Sequence, residues 1–366
     1  MDKQINERMT SLDIFRGGII ILLVLESLEF FEILSDLFRD SSFLSAILNQ
    51  FFHARWEGLT FWDVIQPGFM FIAGTAMTLS LAKRMEQGES YTKWFIHILK
   101  RSIILFVLGV GLHWVYNEEP VFELQNVLTQ LAVTTLVTAL VIRKKPLFQL
   151  LVSLGLILLT SAIYRIYNSA TPFVPGRNAG TAFDIFLSGH ADSDNWVALN
   201  FLPTSAHTIW GAITGWILIG KEKTKKKVIT LSTGALSLII VGMILHLTRV
   251  EPMIKRICTS SFVMVSGGIV ILILLSLYLI VDERKVKETS LMRFFTLPGK
   301  NSIFVYLFSQ IVIPLFLVDF VSIFTEGICD IFSISQFADF LTIAVVLLIV
   351  RWMLLWLSKN KISVHI

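Results

Sequence analysis

The sequence predicts an all-α, polytopic membrane protein: a single transmembrane domain over 1–366, built as a bundle of about ten transmembrane helices with both termini cytoplasmic. Three observations carry this reading. Hydrophobic residues make up 54% of the 366-residue chain and charged ones only 16%, with a mean hydropathy of +0.72, a balance far from that of a soluble globular domain. Apolar runs of roughly 17 to 25 residues, long enough to cross about 30 Å of hydrocarbon, recur along the chain. Lys and Arg concentrate in every second connection, as short cytoplasmic loops require.

The first run, 12–34, follows the polar start Met1-Asp2-Lys3-Gln4-Ile5-Asn6-Glu7-Arg8. With no small-residue cleavage site it reads as a retained helix and not a signal peptide. The connection 35–59 carries Phe38, Phe43, Ile47 and Phe51 in a helical pattern that suits a helix lying at the interface. In the second run, 60–82, Asp63 stands four residues before Pro67, whose ring would clash with the Asp63 carbonyl and kink the helix. Asp63, Gln66 and Met70 fall on one face of that helix, pointing into the bundle. Runs 102–117, 123–142 and 147–167 come next, and Asn126 and Gln130 share a face of the middle one. The loop 168–196, with Pro172, Pro175, Gly176, Gly180 and Gly189, has turn chemistry and is long enough to shape a pocket. The sixth run, 197–220, presents Asn200, Thr204, His207 and Trp210 as a polar stripe expected to face a cavity. Runs 228–248, 262–281, 302–324 and 336–357 complete the bundle, the ninth preceded by Pro298-Gly299-Lys300-Asn301.

Orientation follows from the cations. Lys3, Arg8 and Arg16, the clusters within 83–101, 143–145, 221–227 and 284–300, and Arg351, Lys359 and Lys361 all fall on one side; His53, Arg55, Arg249, Lys255 and Arg256 fall on the other. The net charge of +4 is therefore accounted for by topology and by attraction to anionic lipid headgroups, and it does not point to nucleic acid. Cys258 and Cys329 both lie near the outer face, where a disulfide is chemically open. No metal site is expected, since no ligand spacing for one occurs.

The chemistry concentrates in His53-Ala54-Arg55-Trp56-Glu57-Gly58-Leu59-Thr60-Phe61-Trp62-Asp63, at the outer mouth of the second run. Ionisable groups so close to hydrocarbon are expensive to keep and mark functional sites by default. His53, with an ordinary pKa of about 6.5, suits a general base; the competing reading is a packing residue at headgroup level. For Asp63 the competing reading is an ion pair with Arg55 or a helix cap. A continuous helix over 53–63 would separate His53 from Asp63 by about 15 Å, whereas a loop turning back between Trp56 and Thr60 would bring Asp63 or Glu57 within reach. At the other face, Arg16 beside Gly17 and Gly18 reads as a snorkelling cation or as a phosphate ligand to which Lys300 would add.

Several stretches in order along the chain carry a family likeness. They are Ser11-Leu12-Asp13-Ile14-Phe15-Arg16-Gly17-Gly18, His53 through Asp63 running on to Gly74, Asn200-Phe201-Leu202-Pro203-Thr204, Cys258-Thr259-Ser260-Ser261-Phe262 leading to Gly267-Gly268, and Leu297-Pro298-Gly299-Lys300-Asn301-Ser302-Ile303. Together they resemble the heparan-α-glucosaminide N-acetyltransferase family and its bacterial transmembrane acyltransferase relatives. The resemblance implies an acyl-CoA-dependent enzyme in which acetyl from cytosolic acetyl-CoA is passed to the amine of a glucosamine-type sugar at the outer face. It implies His53 as the catalytic base or acyl carrier, Asp63 as its orienting partner, and a homodimer. The expected substrate-binding residues are Arg55, Trp56, Glu57, Asn200, His207 and Ser27; those expected to hold acetyl-CoA are Arg16, Gln130, Ser260, Ser261, Lys300 and Asn301. Two departures stand out: lysosomal members carry Asn where Glu57 stands, and a polar Asn late in the first span where this chain has Glu26 and Ser27. Their large lumenal N-terminal part has no counterpart here, which places the expected location in a bacterial inner membrane. O-acylation of an extracellular or cell-wall polysaccharide is the enzymatic alternative, and a non-catalytic sugar transporter or flippase is the alternative of another class.

Overall fold

In the computed structural model, residues 9–117 and 122–362 are described; the polar start, with Lys3 and Arg8, lies outside them. Helices make up 77% of the described residues, and no strand occurs among them. In chain order they are α1 (Thr10–Glu26), α2 (Phe30–Leu37), α3 (Ser42–Leu48), α4 (Ile65–Glu86), α5 (Tyr91–Asn117), α6 (Val127–Val141), α7 (Pro146–Tyr167) and α8 (Ala179–Ser188). They continue with α9 (Phe201–Ile219), α10 (Thr224–Leu247), α11 (Ser260–Tyr278), α12 (Ser290–Lys300), α13 (Ser302–Leu307), α14 (Val318–Ile331) and α15 (Ala338–Lys359). Leu279–Glu283 extends α11 as a π-helix, and Phe308–Leu317 joins α13 to α14 in the same way.

Seven helical stretches among the described residues are long and apolar enough to cross a membrane: Trp62–Glu86, Tyr91–Asn117, Pro146–Tyr167, Thr224–Leu247, Ser260–Glu283, Ser302–Ile331 and Ser335–Lys359. The other three expected runs differ for visible reasons. α1 is only 17 residues long because the chain leaves the helix at Ser27, and Glu29 takes a left-handed φ of 54°. α6 has 15 residues. α9 has 19, but Thr204, Ser205, His207, Thr208 and Thr214 make it polar. The interfacial segment expected in 35–59 is the short amphipathic pair α2 and α3.

Pro67 does not kink a helix as expected. A 3₁₀ turn over Trp62–Val64 precedes α4, so Pro67 falls within the first helical turn, where a missing N–H costs no intrahelical bond.

Among the described residues the chain forms two compact units: Met9 with 53–279, and 10–52 with 280–362. The first is organised on α4 and α9, whose backbones approach closely enough to exclude side chains. A Cβ at Gly74 would lie 1.8 Å from the Thr208 carbonyl oxygen, and one at Gly211 would lie 2.0 Å from that of Phe71. Thr75 Oγ1 and Thr78 Oγ1 then donate across the seam to the carbonyls of Gly211 and Ala212, at 3.0 and 2.9 Å. Small residues and hydroxyl bonds of this kind hold helices together where lipid removes the hydrophobic drive.

In the second unit α1 packs against α12 by the same device. A Cβ at Gly17 would meet the Phe295 carbonyl oxygen at 1.6 Å. The Asp282 carboxylate accepts from the Thr10 and Ser11 amides at 3.0 and 3.2 Å, satisfying two orphan donors of the α1 N-terminus.

Candidate functional site

The stretch between His53 and Asp63 is a loop that doubles back, and each reversal has a local cause. Gly58 takes φ +125°, which a side chain would strain, and its amide donates to the Met253 carbonyl at 2.8 Å. Trp56 Nε1 donates to the Phe173 carbonyl at 3.2 Å, and its ring packs on a core cluster that includes Tyr164, Val197, Ile254 and Ile257. Glu57 forms an exposed ion pair with Arg249. The loop is thereby tied to 249–259.

This geometry brings His53 Nδ1 to 2.8 Å from Asp63 Oδ1. Asp63 is fully buried, and its other oxygen accepts from Thr60 N and Thr60 Oγ1, both at 3.0 Å, and from Ala54 N at 3.3 Å. The Thr60 bonds come from the start of the 3₁₀ turn, in the manner of one half of a capping box. A carboxylate with this many donors is fixed in place. Asp63 therefore takes His53, and not Arg55, as its partner; Arg55 is exposed.

A third charge completes the site. Lys255, buried at 6% exposure, places Nζ 3.7 Å from Asp63 Oδ1 and 3.2 Å from His53 Nδ1. Nδ1 cannot both accept from the Lys255 ammonium through a lone pair and donate an N–H to the Asp63 carboxylate. Nδ1 carries the proton and donates to Asp63, while Lys255 neutralises the carboxylate from the side. The basic lone pair is then at Nε2, which has no hydrogen-bond partner among the described residues, on a side chain 33% exposed. Burial holds the His53 pKa below its usual value, the Lys255 charge adds to that, and the Asp63 bond opposes it.

Trp196 forms the wall. Its ring meets His53 edge-on with centroids 5.2 Å apart, and it carries Lys255 Nζ and Arg256 Cζ at 5.2 and 5.5 Å from its centroid. Asp192 Oδ1 positions it by accepting from Asp194 N and Trp196 N, at 2.9 and 3.0 Å.

The remaining expected residues separate into groups. Asn200 Nδ2 holds the Lys255 loop through the Arg256 carbonyl at 2.8 Å, while its buried Oδ1 has no partner among the described residues. Ser260 donates its amide to the buried Glu251 at 2.8 Å, and Ser261 Oγ lies 3.2 Å from Thr259 Oγ1, so both belong to the same loop's framework. Gln130 accepts from Gln66, one turn below Asp63. His207 is completely buried, its Nε2 near the Val263 carbonyl and Ser266 Oγ at 3.0 and 3.1 Å. Arg16, Ser27, Lys300 and Asn301 belong to the second unit. There Arg16 lies 3.4 Å from the Gly299 carbonyl and 3.7 Å from Asp13, Ser27 bonds back to the Val24 carbonyl at 2.9 Å, Lys300 is exposed and Asn301 is buried. Both cysteines are free and buried, and no metal-binding cluster of His, Cys, Asp and Glu occurs among the described residues.

Sequence reasoning missed Lys255, Trp196 and Thr60 as parts of the site. One signal was available for Lys255: it stands on the face that the charge bias depletes of cations.

Fold and site together define a helical membrane protein in which a half-buried His53 meets the buried Asp63 and Lys255 at one mouth of its first unit. Residues 8–173 match a family model described as a domain of unknown function (DUF5009). The chain is also similar in part to heparan-alpha-glucosaminide N-acetyltransferase: 40% identical to the Mus musculus protein over 60 residues, 16% of this chain and 9% of that protein. With the Homo sapiens protein the identity is 30% over 103 residues, 28% of this chain and 13% of that protein. The matched stretches thus span far less than two thirds of these relatives, and the likeness is to a related family of N-acetyltransferases at most.

Proposed function

We propose that the chain is a membrane acyltransferase that moves acetyl from cytosolic acetyl-CoA to the amine of a glucosamine-type sugar at the outer face. The reading includes ten membrane crossings with both termini cytoplasmic, a bacterial cytoplasmic membrane and a homodimer. The observation that carries it is His53 held by Asp63 through Nδ1, with Nε2 unbonded; the partial likeness to N-acetyltransferases supports the reaction class.

The acceptor nitrogen attacks the thioester carbonyl, forming the C–N bond as the C–S bond breaks. Its proton passes to His53 Nε2 and from there to the leaving CoA thiolate. Asp63 stabilises the imidazolium through Nδ1 without taking the proton, and fixes the tautomer that leaves Nε2 basic. A positioned base of this kind contributes about 10²- to 10⁴-fold, and holding both substrates in one pocket supplies more.

A hydroxyl acceptor is the second reading, favoured by the short His53–Asp63 bond, since removing a hydroxyl proton requires a strongly supported base. The lowered His53 pKa favours the amine, whose proton is acidified once the C–N bond forms. The test is to incubate purified protein with labelled acetyl-CoA and glucosamine, beside His53→Ala, and follow free CoA and product. Alkali-stable acetyl sugar from wild type alone supports N-transfer, and an alkali-labile ester supports O-transfer. Equal product from both proteins rules out His53 as the base.

A further inference from the structure

On the first unit a groove of about 580 Å³ runs between α7 and α10, floored by Trp210 and Ile213 of α9. Its walls include Leu150 and Leu154 on one side and Gly234 and Val241 on the other. α10 lines it from Thr230 to Val241, about 16 Å at 1.5 Å per residue. That is about half of a hydrocarbon core some 30 Å thick, the depth of one leaflet. A Cβ at Gly234 would meet nothing within 4 Å, so the groove is open along α10 at that level.

One end of the groove changes character. Pro146, which lines it, also lines a second cavity of about 280 Å³ formed by Arg143, Lys144, Gln149 and Trp216. Arg143 and Lys144 are exposed. Gln149 is 1% exposed; its amide nitrogen donates to the Ile142 and Lys144 carbonyls at 3.1 and 2.8 Å, and its buried Oε1 has no partner among the described residues. An apolar channel one leaflet deep therefore ends in two cations and a buried acceptor.

We infer that this is a binding site for one anionic phospholipid, seated with an acyl chain in the groove, its phosphate at Arg143 and Lys144, and a headgroup hydroxyl donating to Gln149 Oε1. Phosphatidylglycerol meets all three requirements. Phosphatidylcholine has neither the net charge nor the donor. A helix from a second copy of the chain would fill the apolar length but leave the cations and the Gln149 acceptor unmatched.

The test uses the full-length protein in detergent, titrated with phosphatidylglycerol or phosphatidylcholine brominated on the acyl chain, and reads the part of the tryptophan quenching that disappears when Trp210→Phe is combined with Trp216→Phe, since the chain has nine tryptophans. Phosphatidylglycerol should quench saturably at lower concentration than phosphatidylcholine, by roughly fivefold per cation. Arg143→Gln with Lys144→Gln should erase that preference, and Gly234→Phe, placed in open space, should remove saturable quenching by either lipid while leaving the melting temperature near wild type. Equal quenching by the two lipids in wild type, or unchanged quenching in Gly234→Phe, overturns the assignment. Loss of dimer in Gly234→Phe without change in quenching overturns it too, and gives the groove to a second copy.

Discussion

Replacing Lys255 by Met tests whether the buried ammonium sets the working range of His53. Met keeps the length and apolar stem that pack on Trp196 and removes only the charge. The ammonium lies 3.2 Å from His53 Nδ1, a separation at which two unit positive charges repel by about 1.3 kcal/mol at the dielectric of water and about 5 kcal/mol at an effective value of 20. His53 is 33% exposed, which puts the operative figure toward the lower end, about a tenfold change in its protonation equilibrium. The direction follows from the sign: burial and then Lys255 hold the His53 pKa down, so the neutral base persists into mildly acidic solution. Without Lys255 the imidazole protonates at higher pH and the acid limb of the kcat/KM profile moves up. The assay is CoA release from acetyl-CoA across pH 5 to 9, comparing wild type, Lys255→Met and Lys255→Arg. The expected result is a loss for the Met variant that grows toward about tenfold down the acid limb, rates that converge with wild type at alkaline pH, and a limb close to wild type for Arg. A loss that is uniform across the range, or a limb that does not move, refutes the tuning role.

Three further outcomes follow from the geometry. Asp63→Asn removes the charge and leaves one acceptor oxygen, which cannot serve both His53 Nδ1–H and Thr60; CoA release should fall by about 10²- to 10⁴-fold with acetyl-CoA binding retained, and a loss of binding instead would make Asp63 a scaffold residue. Gly74→Ala forces the α4–α9 seam apart at the Thr208 carbonyl, an overpacking cost of about 1 to 3 kcal/mol, and should lower the melting temperature of the detergent-purified protein by about 1 to 4 °C, whereas Gly234→Ala should not. Burial pushes the Cys258 thiol up to about 12, so a maleimide reagent at pH 7.5 should leave Cys258 unlabelled in the native protein and label both cysteines after denaturation, with or without reductant.

How far the site was legible in the sequence depends on the residue. His53 and Asp63 stand out because ionisable groups beside hydrocarbon carry a cost that composition alone reveals. Their pairing was legible only as a condition: a reversal between Trp56 and Thr60, which Gly58 permits. Trp56 and Glu57 were legible as unusual residues, but the structure gives them partners inside the protein, the Phe173 carbonyl and Arg249, which hold the reversal in place. Pro67 illustrates the opposite error. A proline within an apolar run reads as a kink until the start of the helix is located, and that start is set by Thr60 and Asp63 bonding to each other.

The sequence by itself determined the class: an all-helical chain with enough apolar length for several crossings, because hydrocarbon leaves backbone polar groups no partner except those within a helix. Local periodicity also placed polar residues such as Thr204 and His207 on one side of α9. Only the tertiary structure decided that Lys255, distant along the chain, is the third charge at His53, that Trp196 walls the site, and that Asn200 steadies the loop between them. The physical reason is that loop closure carries little sequence signature. The site is assembled from the 53–60, 192–196 and 249–259 loops, brought together by backbone hydrogen bonds and by the packing of Trp56 into a core of residues far apart in the chain, and none of these contacts imposes a period that a linear pattern would display.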